Sequence, residues 1–299
     1  MPPRVSWIAF TLAAALAQTF RNAVQSALVP SLGRMGATQV RFVFGAPFGL
    51  AILAGVGLIL PLRMPGAATF AWCALAGLTQ AVATLFMLSA MARRDFAVGT
   101  AFIKTEPVTV ALVSLVALGE RPSAATLSAI ALATAGVLAM APAPAGSDAA
   151  ARRDAVRAAF EGILAGALFA ASAVGFRAAI IALGDVPRLV GASEVLALGL
   201  VLQATALGLW LAAFDREALI GPMRDPARPA LAGLLGALAS AFWFLGFASA
   251  TATQVRTLAL VEAPLALALS RRVSGKPLRR GAVVGSAMIM AAALILVAG

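Results

Sequence analysis

Long apolar runs broken by short polar stretches dominate the chain. Ten of them, each close to the ~20 residues needed to cross a hydrocarbon core about 30 Å thick, lie at approximately 6–28, 38–60, 68–90, 97–118, 122–141, 160–182, 191–213, 230–250, 253–271 and 280–298. The pattern predicts ten membrane helices and leaves almost nothing for a soluble domain. The first run continues past the length of a signal-peptide core into Gln18, Arg21 and Asn22 and has no clear small-residue cleavage site. It is therefore expected to stay as the first helix.

Shifted on itself by 156 residues, the sequence superposes "AFIKTEPVTVALVSLVALGE" (101–120) on "TLALVEAPLALALSRRVSGK" (257–276). Glu106 meets Glu262 and Gly119 meets Gly275, while Phe20-Arg21 meets Phe176-Arg177, Gly77 meets Gly233 and Phe86 meets Phe242. Identities of Ala and Leu carry little weight in so apolar a chain, but coincident charged residues within apolar runs mark an internal repeat. Residues 1–141 form one five-helix unit, 142–159 a connecting loop with at most a helical start, and 160–299 a second five-helix unit. Five is odd, so the second unit crosses the membrane in the opposite sense. The expected fold is an all-α integral membrane protein, ten transmembrane helices in two inverted five-helix repeats around a central cavity.

Composition sharpens this. The 299 residues are 62% hydrophobic and 12% charged, with a mean hydropathy of +0.96 and a net charge of +11. The basic residues cluster at the ends of apolar runs, where they set orientation, so nucleic acid is not the expected partner. Arg34, Arg41, Arg93, Arg94, Arg152, Arg153, Arg157, Arg216, Arg224, Arg228, Arg271, Arg272, Lys276, Arg279 and Arg280 lie on one side, and Arg4, Arg63, Arg121, Arg188 and Arg256 on the other. The positive-inside rule makes the richer side cytoplasmic. Both termini are then periplasmic, in a multi-pass protein of the bacterial inner membrane. The single Cys73 can form no intramolecular disulfide.

Catalysis finds little support. The chain has no His and one Cys, which removes the usual metal clusters and His-based triads. No motif sets a Ser beside a base, and no phosphate-binding loop signals ATP hydrolysis. The expectation is a protein that is not an enzyme and uses neither metal nor cofactor.

The chemistry lies in charges inside the apolar runs. A charge at the centre of a membrane helix costs ~2.5–3.5 kcal/mol on insertion scales and is expected to face a bundle interior or a wet cavity. Lys104 and Glu106 are two apart and do not face each other on a regular helix, so each needs its own partner or water. Pro107 and Pro264 lack an N–H, which frees the carbonyls of Ile103 and Leu260 beside the two carboxylates. Such polar kinks suit a proton, a cation or an amine. The structural alternative locks each Glu to a cation such as Lys104, Arg21 or Arg177. Helix one carries Thr11, Gln18, Asn22 and Gln25 as a polar stripe bordered by Arg21, and helix three carries Gln80, Thr84 and Met87. Helix eight carries Ser240, Trp243, Phe244 and Phe247 as an aromatic stripe, which is either packing or the apolar wall of a pocket. The candidate transport site is Gln18, Arg21, Asn22, Gln80, Lys104, Glu106, Arg177, Trp243, Phe244 and Glu262. Glu194, near a helix end, is expected to snorkel. The GxxxG pairs Gly45/Gly49, Gly162/Gly166 and Gly281/Gly285 allow close helix contact, and a homodimer interface is one use of them.

With "KTEPVTVALVSLVALGE" late in the first half and "VEAPLALALSRRVSGK" late in the second, residues 5–298 resemble the EamA family of the drug/metabolite transporter superfamily. Its most specific mark is Glu-Pro followed by Gly-Glu across the fourth helix and its exit, here Glu106, Pro107, Gly119 and Glu120. The second half departs from it, with Glu262-Ala263-Pro264 and with Lys276 where the family often has Glu. The resemblance implies a ten-helix basket whose cavity opens alternately to the two membrane faces. Members move metabolites, amino acids, nucleotide sugars or drugs. The leading expectation is a secondary transporter that exports a small amino-acid-like or amphipathic metabolite. Its partners are that substrate, membrane lipid and protons as coupling ion, in a monomer or homodimer. The alternatives are an exchanger or importer of a larger anionic metabolite held by Arg21, Lys104 and Arg177, and a non-transporting scaffold or scramblase. Within the leading reading, Glu262 is expected to exchange protons and Glu106, near cationic groups, to stay ionised.

Overall fold

The computed structural model describes residues 3–91, 103, 106–140, 149–265, 267–268 and 279–298. Among the described residues the regular structure is entirely helical. The helices are α1 (Pro3–Val43), α2 (Gly45–Gly57), α3 (Ala67–Met91), α4 (Glu106–Leu118), α5 (Ala124–Met140), α6 (Ala149–Ala182), α7 (Arg188–Phe214), α8 (Arg216–Arg224), α9 (Ala227–Phe247), α10 (Ala252–Leu258) and α11 (Arg280–Ala298). A 3-10 turn, Ala259–Val261, follows α10. Among the described residues, six helical stretches are long and apolar enough to cross a bilayer, and α4 and α5 are shorter apolar helices. The large apolar side chains left exposed include Leu78, Val116, Phe160, Leu209 and Leu294. In a chain this apolar those side chains meet lipid, and the polar groups turn inward.

Three boundaries differ from the sequence expectation. The runs at 6–28 and 38–60 belong to one stretch, Ser6–Gly57, bent at Gly33, whose φ of 67° lies in the left-handed region that Gly occupies without strain. Gln25 Nε2 donates to the Ala37 carbonyl at 2.8 Å. Twelve residues of straight helix would separate them by about 18 Å, so the chain folds back at Gly33 and α1 is two legs of a hairpin. The second difference is at the connecting segment, where α6 begins at Ala149, well inside the expected loop. "AAARRDAVRAAF" contains no Pro or Gly, and an i,i+4 pair between Arg157 and Glu161 at 3.5 Å supports the helix there. Residues 142–148 lie outside the described residues.

The third difference is the run at 253–271. Only α10 and the 3-10 turn precede Glu262, whose N–H bonds back to Ala259 in the shorter i→i+3 pattern. The tightening sits immediately before Pro264, which gives the Leu260 carbonyl no donor. In the first half, Glu106 and Pro107 lie in α4, with residues 104 and 105 outside the described residues. Glu262 follows directly on the 3-10 turn, at an interruption of regular helix.

Long contacts run between α3 and α6, α1 and α9, α5 and α11, α2 and α7, and α4 and α6, with α10 against α4. The α5–α11 crossing has backbone against backbone: a Cβ on Gly136 would lie 2.7 Å from the Gly285 carbonyl, and one on Gly281 2.5 Å from that of Ala139. Gly281 and Gly285 therefore serve close contact within this chain. Gly45 likewise faces the Gly233 carbonyl, and Gly49 faces Leu200. The short amphipathic α8 is tied to α1 by Gln39, whose Nε2 donates to the carbonyls of Ala218 and Leu219 at 3.0 and 3.2 Å.

Candidate functional site

A cavity of about 100 Å³ lies within the bundle. Gln18, Arg21 and Asn22 reach it from the first leg of α1, Arg41 from the second, and Gln80 and Met87 from α3. Glu106 of α4 lines it, and Ser172 and Phe176 of α6 form part of its wall. Opposite stand Ser240, Trp243, Phe244 and Phe247 of α9, with Arg256 of α10 and Glu262. Eight of the ten sequence-nominated residues meet there: Gln18, Arg21, Asn22, Gln80, Glu106, Trp243, Phe244 and Glu262. Lys104 lies outside the described residues.

One continuous set of contacts crosses the site. Glu106 is gripped by both faces of a guanidinium fork: Arg256 Nε donates to Oε1 at 2.7 Å and Arg256 Nη2 donates to Oε2. The Arg256 guanidinium lies 4.6 Å from the centre of the Trp243 ring, a cation–π arrangement that contributes roughly 2 kcal/mol when desolvated. Trp243 Nε1 donates to Gln18 Oε1 at 3.1 Å, and Gln18 Nε2 donates to Glu262 Oε2 at 3.3 Å. The two symmetric carboxylates are therefore joined through Arg256, Trp243 and Gln18. Glu262 is also in electrostatic contact with Arg21, so its surroundings are polar, not the apolar ones its neighbour Val261 suggests.

The polar stripe of helix one divides. Gln18 and Asn22 line the cavity, whereas Thr11 returns to the Trp7 carbonyl at 2.7 Å and Gln25 spans the hairpin. Gln80 receives a bond from Gln203 at 2.9 Å, and Thr84 accepts one from Arg41 at 3.3 Å. Phe176 and Phe244 pack at 4.6 Å between ring centroids, tilted by 40°, as part of the apolar wall.

Arg177, by contrast, is at the bundle's end. It pairs with Glu120 and donates through Nη1 to the Phe247 carbonyl, and Ser114 donates to the same carboxylate at 3.1 Å. The Gly-Glu exit of α4 is thus tied to α6 and α9, and Phe247 stands between this tie and the cavity. Repeat-equivalent Arg21 and Arg177 consequently have different work. Phe20 is 48% exposed whereas its counterpart Phe176 is 1% exposed. Glu194 does not snorkel: it is buried and accepts the backbone N–H of Arg63, because the loop after α2 folds over it.

Two site residues escape the sequence reading. Arg41 and Arg256 look like orientation signals because they lie near the ends of apolar runs. Arg41 is 3% exposed and the Arg256 side chain 14% exposed. The signal available for Arg256 is its spacing: six residues before Glu262, inside a helix capped by Thr251 and Gln254, it cannot belong to a loop.

A protein of known crystal structure superposes on this chain with a TM-score of 0.69 at 17% identity, covering 98% of this chain and 97% of the other. At that identity the likeness shows a shared fold alone. No curated protein matches the sequence. Residues 5–141 match the model of the EamA-like transporter family, with Glu106-Pro107 and Gly119-Glu120 included, and that match places this first half of the chain in the EamA family of the drug/metabolite transporter superfamily.

Proposed function

We propose that this chain is a secondary transporter of the inner membrane that exports a small amino-acid-like or amphipathic metabolite by alternating access. The observation that carries the reading is the cavity crossed by the Glu106–Arg256–Trp243–Gln18–Glu262 contacts, which draws polar groups from both halves to one place. Ligand pockets have this make-up, an apolar wall with a few placed polar groups. A scaffold would have no use for it.

An inverted pair of five-helix halves supports the same reading. Exchanging the halves maps the α1–α9 contact onto α6–α3 and maps α2–α7, α4–α10 and α5–α11 onto themselves. A transporter built this way moves one half against the other around a central site. The Glu120–Arg177–Phe247 tie then closes the cavity at one end and must open during the cycle. Both termini are placed in the periplasm. After replacement of Cys73, a cysteine introduced at the N-terminus is expected to react with an impermeant maleimide on whole cells, and one at residue 145 only after lysis. Labelling in the reverse order would overturn this orientation.

Flux tests the function. Purified protein in liposomes, given a panel of labelled amino acids and amphipathic drugs with and without an imposed pH gradient, is expected to move at least one compound roughly tenfold faster than empty liposomes. Trp243→Ala is expected to remove most of that flux. Lipid flipping with no solute flux would instead mean a scramblase.

A further inference from the structure

Arg21 and Arg41 are 1% and 3% exposed, and they come together. A Cβ on Gly236 of α9 would lie 3.3 Å from Arg41 Cγ and 3.6 Å from Arg21 Cδ, so both stems run across the spot that this glycine leaves open. The two guanidiniums repel each other and Arg256 electrostatically. Their hydrogen bonding is incomplete. Arg21 Nη2 donates to Asn22 Oδ1 at 2.7 Å and Arg41 Nη1 to Thr84 Oγ1 at 3.3 Å, while Arg21 Nε, Arg21 Nη1 and Arg41 Nε are buried without a partner.

Charge does not balance either. The described ionisable groups lining the cavity are three arginines and two glutamates. Arg256 is committed to Glu106, and among the described residues Arg41 has no carboxylate partner. Paired like charges with orphaned donors are unfavourable where one carboxylate, Glu262 near Arg21, stands against them, and a further anion would relieve them. A guanidinium offers its N–H groups as a planar fork, the geometry that receives carboxylate or phosphate oxygens. The rest of the wall is apolar, made by Phe169, Phe176, Phe244 and Phe247.

We propose that Arg21 and Arg41 form the anion-binding end of the cavity and that the transported molecule carries a carboxylate or phosphate on a compact apolar body. This rests on the transport reading for its role in the cycle, but the binding itself does not. Arg177, at the bundle's end, takes no part.

The test is equilibrium binding to the full chain in detergent micelles, with 3-phenylpropionate, phenyl phosphate, 3-phenylpropionamide and phenethylamine as probes. The two anions are expected to bind at least tenfold more tightly than the amide and the amine, and whichever is tighter identifies the carboxylate or phosphate source. Arg41→Gln is expected to cost at least tenfold for the anions and to leave the amide unchanged, with Arg41→Lys in between. The comparison of probes on the unaltered protein stands even where a variant fails to fold. Anions that bind no better than the amide, or no binding of either anion at millimolar concentration, would overturn the inference. Flux in liposomes without preference for anions leaves transport standing and removes this inference, whereas anion binding with no flux does the reverse.

Discussion

Glu106→Ala is expected to lower stability by about 3–5 kcal/mol, the cost of leaving the other member of a buried ion pair uncompensated. The Arg256 side chain is 14% exposed and the Glu106 side chain 6%. Arg256 therefore cannot recover its hydration when the carboxylate is removed, and the nearby Arg21 and Arg41 repel it. The loss also reaches α4, which carries Glu106 and is held to α10 by this pair. Detergent-solubilised protein should show a depressed melting temperature and an unfolding transition at lower denaturant. The companion variant Glu106→Leu/Arg256→Met removes both charges and should recover most of the stability, since apolar replacement of a whole buried pair is often neutral. A single variant as stable as the parent would mean that the pair does not hold α4 in place.

Much of this architecture can be read from residue order because the bilayer imposes it. Apolar runs must close their backbone hydrogen bonds internally, so their lengths and polar breaks locate helices. Glu106 and Glu262 stand out because a charge in hydrocarbon needs a reason. What order alone does not give is which cation serves which carboxylate. Arg256 reaches Glu106 across 150 positions, while the repeat-equivalent Arg177 goes to Glu120. A long side chain near the end of an apolar run looks the same whether it points to headgroups or inward, which is why Arg41 and Arg256 pass for orientation signals. The turn at Gly33 falls in the break between the first two apolar runs, beside Pro30 and Gly36, and the bond from Gln25 to Ala37 shows the chain folding back there. Where the sequence is locally explicit, as with Pro264, the interruption falls where the missing donor puts it.

Glu262→Gln is expected to abolish transport driven by a pH gradient while leaving folding and substrate exchange measurable. The two carboxylates differ in what their partners can accept. Arg256 has donors only, so its two-pronged grip uses both Glu106 oxygens as acceptors. Gln18 is a neutral amide with both a donor and an acceptor. Its Nε2 faces Glu262 Oε2 while its Oε1 takes the Trp243 N–H. Protonation of Glu262 calls for an acceptor in place of that donor, and turning the amide supplies one. The same turn takes the acceptor away from the Trp243 N–H and so disturbs the ring on which Arg256 rests. Protonation of Glu262 also removes its attraction for Arg21, and a proton arriving there would be felt along the Gln18, Trp243 and Arg256 contacts that lead to Glu106. Gln at position 262 cannot gain or lose the proton and fixes the network in one state. In liposomes, its accumulation of substrate should be the same with and without a pH gradient, while counterflow at equal pH stays within a fewfold of the parent. Uptake by the Gln variant that still responds to the gradient would show that the proton is handled elsewhere, and the Gln18 relay would fall with it.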